Sequence, residues 1–253
     1  MVRLALLGDP VAHSLSPVIH AAALDAAGIA GSYESRRVDA GGVSEAIQQL
    51  REGLLDGANV TMPHKRLAAS LSDDLSGVAG RTGSVNTLVL RDGLVHGETT
   101  DVGGVRSAWG GLPPEPILLL GAGGAAAAAL VALEGREIFV ATRDPASARA
   151  LVDAVGVQAS FVDWGSSVPG AVVLNATPLG MHGESLPAGL LVAASGLFDM
   201  AYGPTITPAV FEASERGLPS VDGRQMLVAQ AAISFQIWTG VEASIEAMAA
   251  SLG

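Results

Sequence analysis

One lysine is the clearest candidate for acid–base chemistry in this sequence. Lys65 is the only lysine in the 253-residue chain, so all the other cationic side chains except histidine are arginines. An arginine guanidinium keeps its proton at any working pH, whereas a lysine ammonium can release one when it is desolvated or lies near another charge. Lys65 can therefore carry a proton in a reaction. The simpler alternative is a single lysine on a solvated face.

The residues that precede Lys65 favour the chemical interpretation. Asn59 and Thr61 are two positions apart, so on a strand their side chains point to the same side. Pro63 cannot donate to a sheet ladder and ends the strand in a turn or a helix. This arrangement directs polar groups and an ammonium to one place.

Two hydroxyls ahead of the first predicted helix indicate a site for an anion. Ser14 and Ser16 flank one residue, and Pro17 fits the first turn of a helix with its body over residues 20–27, which makes Ser16 the predicted N-cap. A helix N-terminus offers free N–H groups and a partial positive charge, so these hydroxyls could hold a carboxylate without an arginine. The alternative is that Ser16 only caps the helix.

Asn86 and Asp101 lie at the ends of two segments that we expect to pair. Arg91-Asp92-Gly93 is typical of a hairpin turn and joins the strand that follows Asn86 to the strand that precedes Asp101. Each residue has a purely structural alternative, Asn86 as a turn residue and Asp101 as a helix N-cap. Between Lys65 and Asn86 we predict a helix over residues 65–71 and a further helical turn that begins at Asp73-Asp74.

Composition limits the function classes. The chain is 49% hydrophobic and 15% charged, which is typical of a soluble globular protein, and its length allows one large domain or two of ordinary size. It contains no cysteine, which excludes a disulfide framework and a thiolate nucleophile. A net charge of −11 disfavours nucleic acid and anionic membranes as partners. No apolar run reaches the roughly 18 residues of a spanning helix, so we predict a cytoplasmic protein.

A strand, a glycine turn and a helix mark a second domain after residues 110–116. The apolar run at 117–120 leads into Gly121-Ala122-Gly123-Gly124-Ala125, an alanine-rich helix and a strand at 137–141. In this order the glycines allow a tight turn and close approach of backbone to a pyrophosphate at the helix N-terminus. We therefore predict a dinucleotide site, with a well-packed turn as the alternative.

The residues after that strand bear on the choice of cofactor. An acidic side chain there accepts hydrogen bonds from an adenosine 2′-hydroxyl, whereas an arginine pairs with a 2′-phosphate. The chain has Thr142-Arg143-Asp144. Arg143 indicates NADP rather than NAD, although Asp144 would repel the phosphate unless it turns away.

Two later apolar runs end in polar loops, at Asn175 to Met181 and at Asp199 to Tyr202. Both loops would follow the carboxyl ends of parallel strands, where open α/β sheets bind ligands. Gln230 lies on the last long apolar helix and needs a hydrogen-bond partner, either backbone or a ligand.

Taken in order, these motifs resemble the shikimate dehydrogenase family across almost the whole chain. The matching segments are Ser14 to Pro17, Asn59 to Lys65, Gly83 to Thr87, Thr100-Asp101, Gly121 to Ala125, Asn175 to Pro178 and Gly223 to Gln230. The resemblance implies an α/β protein of two domains around a cleft, with an N-terminal substrate domain and a Rossmann-like NADP-binding domain. We predict these domains over residues 1–102, completed by 225–253, and over 103–224. The implied activity is the NADP-linked interconversion of 3-dehydroshikimate and shikimate.

The resemblance also implies a role for each matching residue. Lys65 and Asp101 would form the catalytic pair. The substrate would be bound by Ser14, Ser16 and Tyr202 at its carboxylate and by Thr61, Asn86, Asp101 and Gln230 at its ring hydroxyls. The cofactor would be bound by Gly121, Ala122, Gly123, Gly124 and Ala125 at the pyrophosphate, by Thr142 and Arg143 at the adenosine, and by Met200 and Gly223 at the nicotinamide. Ala21 and Thr99 depart from the family, which usually has asparagine at both positions.

Other functions stay open at this stage. A relative in the same family could act on quinate or an aminoshikimate-type compound with NAD or NADP. A dinucleotide-binding sensor would keep the glycine turn but need not keep both Lys65 and Asp101. A metal hydrolase is disfavoured, and no metal site is predicted, because the five histidines are dispersed without helical ligand spacing. We expect a small-molecule substrate and a monomer or homodimer.

Overall fold

The computed structural model describes residues 1–114, 116–203 and 205–253. The chain divides into two compact units, one of residues 1–104 with 227–253 and one of residues 105–226. Each contains one six-stranded sheet with helices, which confirms the predicted α/β fold. Glu115, in the segment expected to begin the second domain, lies outside the described residues.

The first unit alternates short strands and helices as far as its hairpin. Its elements in chain order are β1 (Val2–Gly8), α1 (Ser16–Ala26), β2 (Gly31–Arg37), α2 (Ala40–Arg51), β3 (Gly57–Val60), α3 (Lys65–Leu71), β4 (Asp74–Leu75), α4 (Gly77–Thr82), β5 (Thr87–Arg91), β6 (Leu94–Glu98) and α5 (Asp101–Ala108). The sheet order is β2-β1-β3-β5-β6-β4, with β5 antiparallel to both β3 and β6 and the other pairs parallel.

The second unit forms an all-parallel sheet. Its elements are β7 (Ile117–Leu120), α6 (Gly124–Ala132), β8 (Ile138–Ala141), α7 (Pro145–Val155), β9 (Ser160–Val162), β10 (Val172–Asn175), β11 (Gly196–Asp199), α8 (Pro208–Glu215) and β12 (Ser220–Val221). Two helices then end the chain, α9 (Gly223–Thr239) and α10 (Ile245–Ala250). The strand order β9-β8-β7-β10-β11-β12 is that of a dinucleotide-binding Rossmann sheet, with its switch point between β7 and β10.

Each unit has its own apolar core. In the first, buried side chains of β1, β3 and β5 pack against α2, and in the second, those of β7, β10 and β11 pack against α8. Helix α9 returns to the first sheet, where a Cβ on Gly57 of β3 would come within 2.4 Å of the Trp238 ring, so only glycine allows this approach. The Trp238 ring also donates a hydrogen bond to the Leu88 carbonyl at 3.0 Å. These contacts fix α9, and with it Gln230, against β3 and β5.

Two local predictions are wrong. Asp73-Asp74 does not begin a helical turn. Asp73 accepts bonds from the Val95 N–H and from Arg51, both at 2.8 Å, and Asp74 pairs with β6, so the helix starts only after Ser76, whose hydroxyl caps it. Ser16 is not the N-cap of α1, because Leu15 occupies that position and already has helical backbone angles. Among the described residues, no helix has the length and apolar character needed to cross a membrane.

Candidate active site

Lys65 and Asp101 form an ion pair between the first residues of two helices. Lys65 Nζ donates to Asp101 Oδ2 at 2.6 Å. The Asp101 side chain is 6% exposed and that of Lys65 is 23% exposed, so the carboxylate is buried while the ammonium still reaches the surface. The backbone of Lys65 is held in place because its carbonyl accepts the Val85 N–H at 3.0 Å. Asp101 is the first residue of α5 rather than the N-cap, and its carboxylate is free to face Lys65.

Asn86 connects this pair to Gln230. The Asn86 side-chain nitrogen donates to Asp101 Oδ1 at 2.9 Å and to Gln230 Oε1 at 2.8 Å, with Thr100 Oγ1 at 3.0 Å. Its oxygen accepts the Thr100 N–H at 2.9 Å. Lys65, Asn86, Asp101 and Gln230 thus form one hydrogen-bonded group. The expected hydrogen-bond partner of the Gln230 side chain was backbone or a ligand. In the structure it is the side chain of Asn86.

The two serines form a separate polar pair. Ser14 Oγ accepts the Ser16 N–H and also lies 3.2 Å from the Ser16 hydroxyl, so Ser14 takes part of the capping role expected of Ser16. Ser16 is buried at 7% exposure and begins the 11-residue helix α1. Within the described residues, no hydrogen bond joins this pair to the Lys65 group. Two hydroxyls at the positive end of a helix suit a carboxylate.

Thr61 follows the last residue of β3 and leads into α3. Its N–H donates to the Leu7 carbonyl at 2.8 Å, and its carbonyl accepts the His64 N–H at 2.9 Å. The buried His64 ring lies 2.8 Å from the Val38 carbonyl through Nε2, which anchors the turn before Lys65. The Thr61 hydroxyl bonds to no group in the described part of the chain, so it is open to a ligand.

The glycine turn of the second unit has the form expected of a phosphate cradle. Gly121 has φ of +114°, and a Cβ there would lie 3.0 Å from the Ala176 carbonyl oxygen, so the turn requires glycine. Gly123 is the N-cap of α6 without a side-chain cap bond. The Ala127 N–H bonds to the Gly123 carbonyl, which leaves the three preceding helix N–H groups without backbone partners among the described residues. Such a terminus fits a pyrophosphate.

Asp144 turns its carboxylate toward helix α7. It is the N-cap, and its oxygens accept the Ala146 N–H at 3.1 Å and the Ser147 hydroxyl at 2.5 Å. The Ser147 bond, followed by that of the Ala146 N–H, lowers the pKa of Asp144. Thr142 Oγ1 closes the turn by donating to the Asp144 carbonyl at 2.6 Å. The exposed Arg143 guanidinium lies 6.0 Å from the centre of the Trp164 ring.

Met200, Tyr202 and Gly223 lie close together in the second unit. The Met200 N–H donates to the Asn175 carbonyl at 2.9 Å at the end of β10. Tyr202 and Gly223 line the same small surface hollow with Thr207. This loop is held by Asp199, which is fully buried and accepts bonds from Asn175 Nδ2 at 2.8 Å, the Ala201 N–H at 3.0 Å and Thr207 Oγ1 at 2.5 Å. Burial raises the pKa of Asp199 despite these bonds.

Sequence reasoning missed Thr87 and Ser234, two buried polar residues behind the site. They bond to each other and to Asn59, next to Asn86. It also missed that Asp199 and Asn175 bond to each other and so support the loop of Tyr202. The only signal for Thr87 and Ser234 in the sequence was a polar residue that ends or interrupts an apolar run. Thr99 is buried and its hydroxyl has no partner among the described residues, while Ala21 is exposed. In the described ranges, no cluster of three histidine or acidic side chains could hold a metal ion.

Comparison with known proteins decides the family. Residues 6–88 match the family model for the shikimate dehydrogenase substrate binding domain, and residues 223–252 match that for the shikimate 5′-dehydrogenase C-terminal domain. A Thermus thermophilus protein named shikimate dehydrogenase (NADP(+)) is 39% identical over 249 residues, which cover 95% of this chain and 94% of the relative. This chain belongs to the shikimate dehydrogenase family.

Further relatives show the same family relationship. A shikimate dehydrogenase (NADP(+)) of an Exiguobacterium species is 37% identical over 248 residues, covering 95% of this chain and 94% of the relative. The crystal structure of a shikimate 5-dehydrogenase from Thermus thermophilus in complex with NADP(H) and shikimate matches with a TM-score of 0.91 and 35% identity, covering 100% of this chain and 98% of the other. The similarity to shikimate dehydrogenases therefore extends over both units of the chain.

Proposed function

We propose that this protein is an NADP-dependent oxidoreductase that reversibly reduces 3-dehydroshikimate to shikimate, in the shikimate pathway of aromatic amino acid biosynthesis. The observation that carries the proposal is the 2.6 Å contact of Lys65 Nζ with the buried Asp101 carboxylate. In this contact the only lysine of the chain, whose ammonium can release a proton as no arginine can, faces a buried carboxylate. The relatives named above, which carry this activity in their names, support it.

The substrate is a ring acid with several hydroxyls, and the first unit offers matching groups. Ser14 and Ser16 hold the carboxylate at the start of α1. The same role for Tyr202, which lies in the second unit, stays a prediction from the resemblance. Thr61, Asn86, Asp101 and Gln230 bind the ring hydroxyls. The open Thr61 hydroxyl supports this assignment. In the structure, the Asn86 amide already bonds to Asp101 and Gln230, so any substrate contact must share those bonds.

The second unit fits NADP. The free N–H groups at the start of α6 would receive the pyrophosphate within the turn Gly121 to Ala125, and Met200 and Gly223 would lie at the nicotinamide. Arg143 would pair with the adenosine 2′-phosphate, next to Thr142. The Asp144 carboxylate caps α7 by accepting bonds from Ala146 and Ser147, so it faces the helix N-terminus and not the Arg143 guanidinium. This supports NADP over NAD as the cofactor.

The chain supplies the proton chemistry. When bound, NADPH supplies a hydride to the ring ketone. The Lys65 ammonium donates its proton to the oxygen of that ketone, which becomes the hydroxyl of shikimate, and Lys65 is left as a neutral amine. In the reverse direction the amine accepts the hydroxyl proton. Asp101 holds Lys65 in position through Oδ2, and Asn86 holds Asp101 through Oδ1.

Absorbance of reduced nicotinamide tests the proposal directly. Purified protein is mixed with shikimate or quinate, each with NADP and with NAD. We expect fast reduction of NADP with shikimate. Faster reduction with quinate or with NAD would instead indicate the related quinate or NAD-linked dehydrogenase activity. No reduction in any of the four mixtures would favour a dinucleotide-binding protein without catalysis. A cytoplasmic location and a monomeric or homodimeric state stay predictions from sequence.

A further inference from the structure

Asn59 lies directly behind the residues that hold the catalytic pair. It occupies β3 opposite Thr87 of β5, and its side chain is bonded on both sides by residues from four other elements or loops. We propose that Asn59 is a positioning residue that sets the orientation of the Asn86 amide. The orientation of Asn86 in turn decides which atoms of Asp101 and Gln230 face the substrate. This inference rests on the proposed function.

The outer side of Asn59 is fixed by Tyr33. Tyr33 Oη donates to Asn59 Oδ1 at 2.8 Å. The buried His20 ring is stacked on Tyr33 with ring centres 4.3 Å apart, which holds the Tyr33 ring in place. With a hydroxyl donor on its oxygen, the Asn59 amide can point its N–H groups only to the other side.

On the inner side, Asn59 Nδ2 has three acceptors. They are the Asn86 carbonyl at 2.9 Å, Thr87 Oγ1 at 3.1 Å and Ser234 Oγ at 3.2 Å. Because Thr87 accepts from Asn59, its own hydroxyl proton is free to donate to Asn86 Oδ1 at 3.0 Å. The Asn59 amide thus occupies an acceptor site of the Thr87 hydroxyl and leaves its proton to be donated, with Asn86 Oδ1 at 3.0 Å and Ser234 Oγ at 2.9 Å as the two acceptors in reach.

Asn86 passes this orientation on to the site. Its Oδ1 is occupied by the Thr87 hydroxyl and the Thr100 N–H, so its N–H groups must face Asp101 and Gln230. Gln230 then accepts through Oε1, and its Nε2 has no bond within the described chain. Gln230 thus presents N–H donors, and the ligand group that it meets must be an oxygen acceptor. A reversed Asn86 amide would set its oxygen against the Asp101 carboxylate and lose both interactions.

Two substitutions separate this role from a structural one. Asn59→Asp keeps the oxygen that accepts from Tyr33 but removes the Nδ2 donors. We expect kcat to fall about 10- to 100-fold, since misplacing reacting groups by about 1 Å has effects of that size, while KM for NADP stays unchanged. Tyr33→Phe keeps the stack on His20 and removes only the hydroxyl, and we expect kcat to fall about 2- to 10-fold.

The double variant and a control make the test specific. If Tyr33 acts through Asn59, adding Tyr33→Phe to Asn59→Ala should lower kcat by less than about 2-fold further. Ile47→Ala, in the apolar core of the first unit, is the control for lost stability. It should lower the unfolding midpoint without lowering kcat. If the Asn59 variants lose stability as this control does and keep the kcat of the wild type, the proposal is wrong.

Crystal structures give a readout that does not depend on activity. In Asn59→Asp or Asn59→Ala, we expect the Asn86 Nδ2 contacts with Asp101 and Gln230 to lengthen beyond hydrogen-bonding distance. Their persistence would overturn the positioning role. If the wild type turns over no substrate, the proposed function fails, and the variant structures still decide whether Asn59 orients Asn86.

Discussion

Lys65 Nζ and Asp101 Oδ2 lie 2.6 Å apart at the first residues of α3 and α5. A carboxylate at a helix N-terminus is stabilised by the helix dipole, whereas an ammonium there is not. The N-terminus of α5 therefore attracts the Asp101 carboxylate, and Lys65 at the start of α3 depends on Asp101 for its counter-charge. The pair holds a proton donor where the helix end alone would repel it.

Substitution of Lys65 tests the proton transfer. Lys65→Arg keeps the positive charge but holds its proton too tightly to transfer it, so we predict a loss in kcat of about 10²- to 10⁴-fold with little change in KM for NADP. Arg66→Lys, at the exposed neighbouring residue, is the matched control and should retain full turnover. Near-wild-type kcat in Lys65→Arg would exclude Lys65 as the proton carrier.

Arg143 should govern the preference for NADP. Charge-assisted hydrogen bonds are worth about 1.5–3 kcal/mol, so Arg143→Ala should raise KM for NADP about 10- to 100-fold and leave KM for NAD unchanged. Arg149→Ala provides the control, since Arg149 is an exposed arginine on α7 that lies over Phe161. Steady-state kinetics with both cofactors measure the effect. Equal changes for NADP and NAD would show that Arg143 does not read the 2′-phosphate.

Burial of His20 should make stability depend on pH. Burial lowers the pKa of His20 to about 3, whereas the ordinary value is 6.5. Between these values the unfolded chain binds a proton that the folded protein does not, so the free energy of unfolding should fall as the pH is lowered. The His20 contribution is about 1.4 kcal/mol per pH unit.

The variant His20→Phe isolates this effect. It keeps an aromatic ring against Tyr33 but removes the titrating group. Urea unfolding between pH 4 and pH 6.5 should show a shallower loss of stability for the variant than for the wild type. Identical slopes would mean that His20 binds a proton as readily in the folded protein as in the unfolded chain, which would contradict the lowered pKa.

Thr207 should be important for the stability of the second unit. Its hydroxyl donates to the buried Asp199 carboxylate and accepts the Val210 N–H as the N-cap of α8. Thr207→Val keeps the shape and loses both bonds, and we predict a loss of about 2–4 kcal/mol in the free energy of unfolding. Thr82→Val, which removes a hydroxyl bonded only to nearby backbone carbonyls, should cost less than about 1 kcal/mol in the same urea titration. Similar losses in both variants would contradict a special role for Thr207.

The sequence predicted the elements that depend on local patterns. The apolar run before Gly121, the alanine-rich helix after it and the next strand appear as predicted, because strand length, turn glycines and helix propensity are local properties. The predictions for Ser16 and Asp73 were wrong because single hydrogen bonds decide them. Ser14 rather than Ser16 supplies a side-chain acceptor at the start of α1, and Asp73 accepts bonds from Val95 and Arg51, which are distant in the sequence.

By itself, the sequence determined the α/β fold class and the dinucleotide turn, while the set of site residues and the family followed from the resemblance of its ordered motifs. The tertiary structure alone decided which of these residues touch. Asn86 meets Gln230 across 144 positions of chain, and Asn59 meets Ser234 across 175. Asp144 turns to its helix instead of standing free beside Arg143. The physical reason is that these bonds depend on the register of strands and on where α9 packs, and no local pattern encodes either.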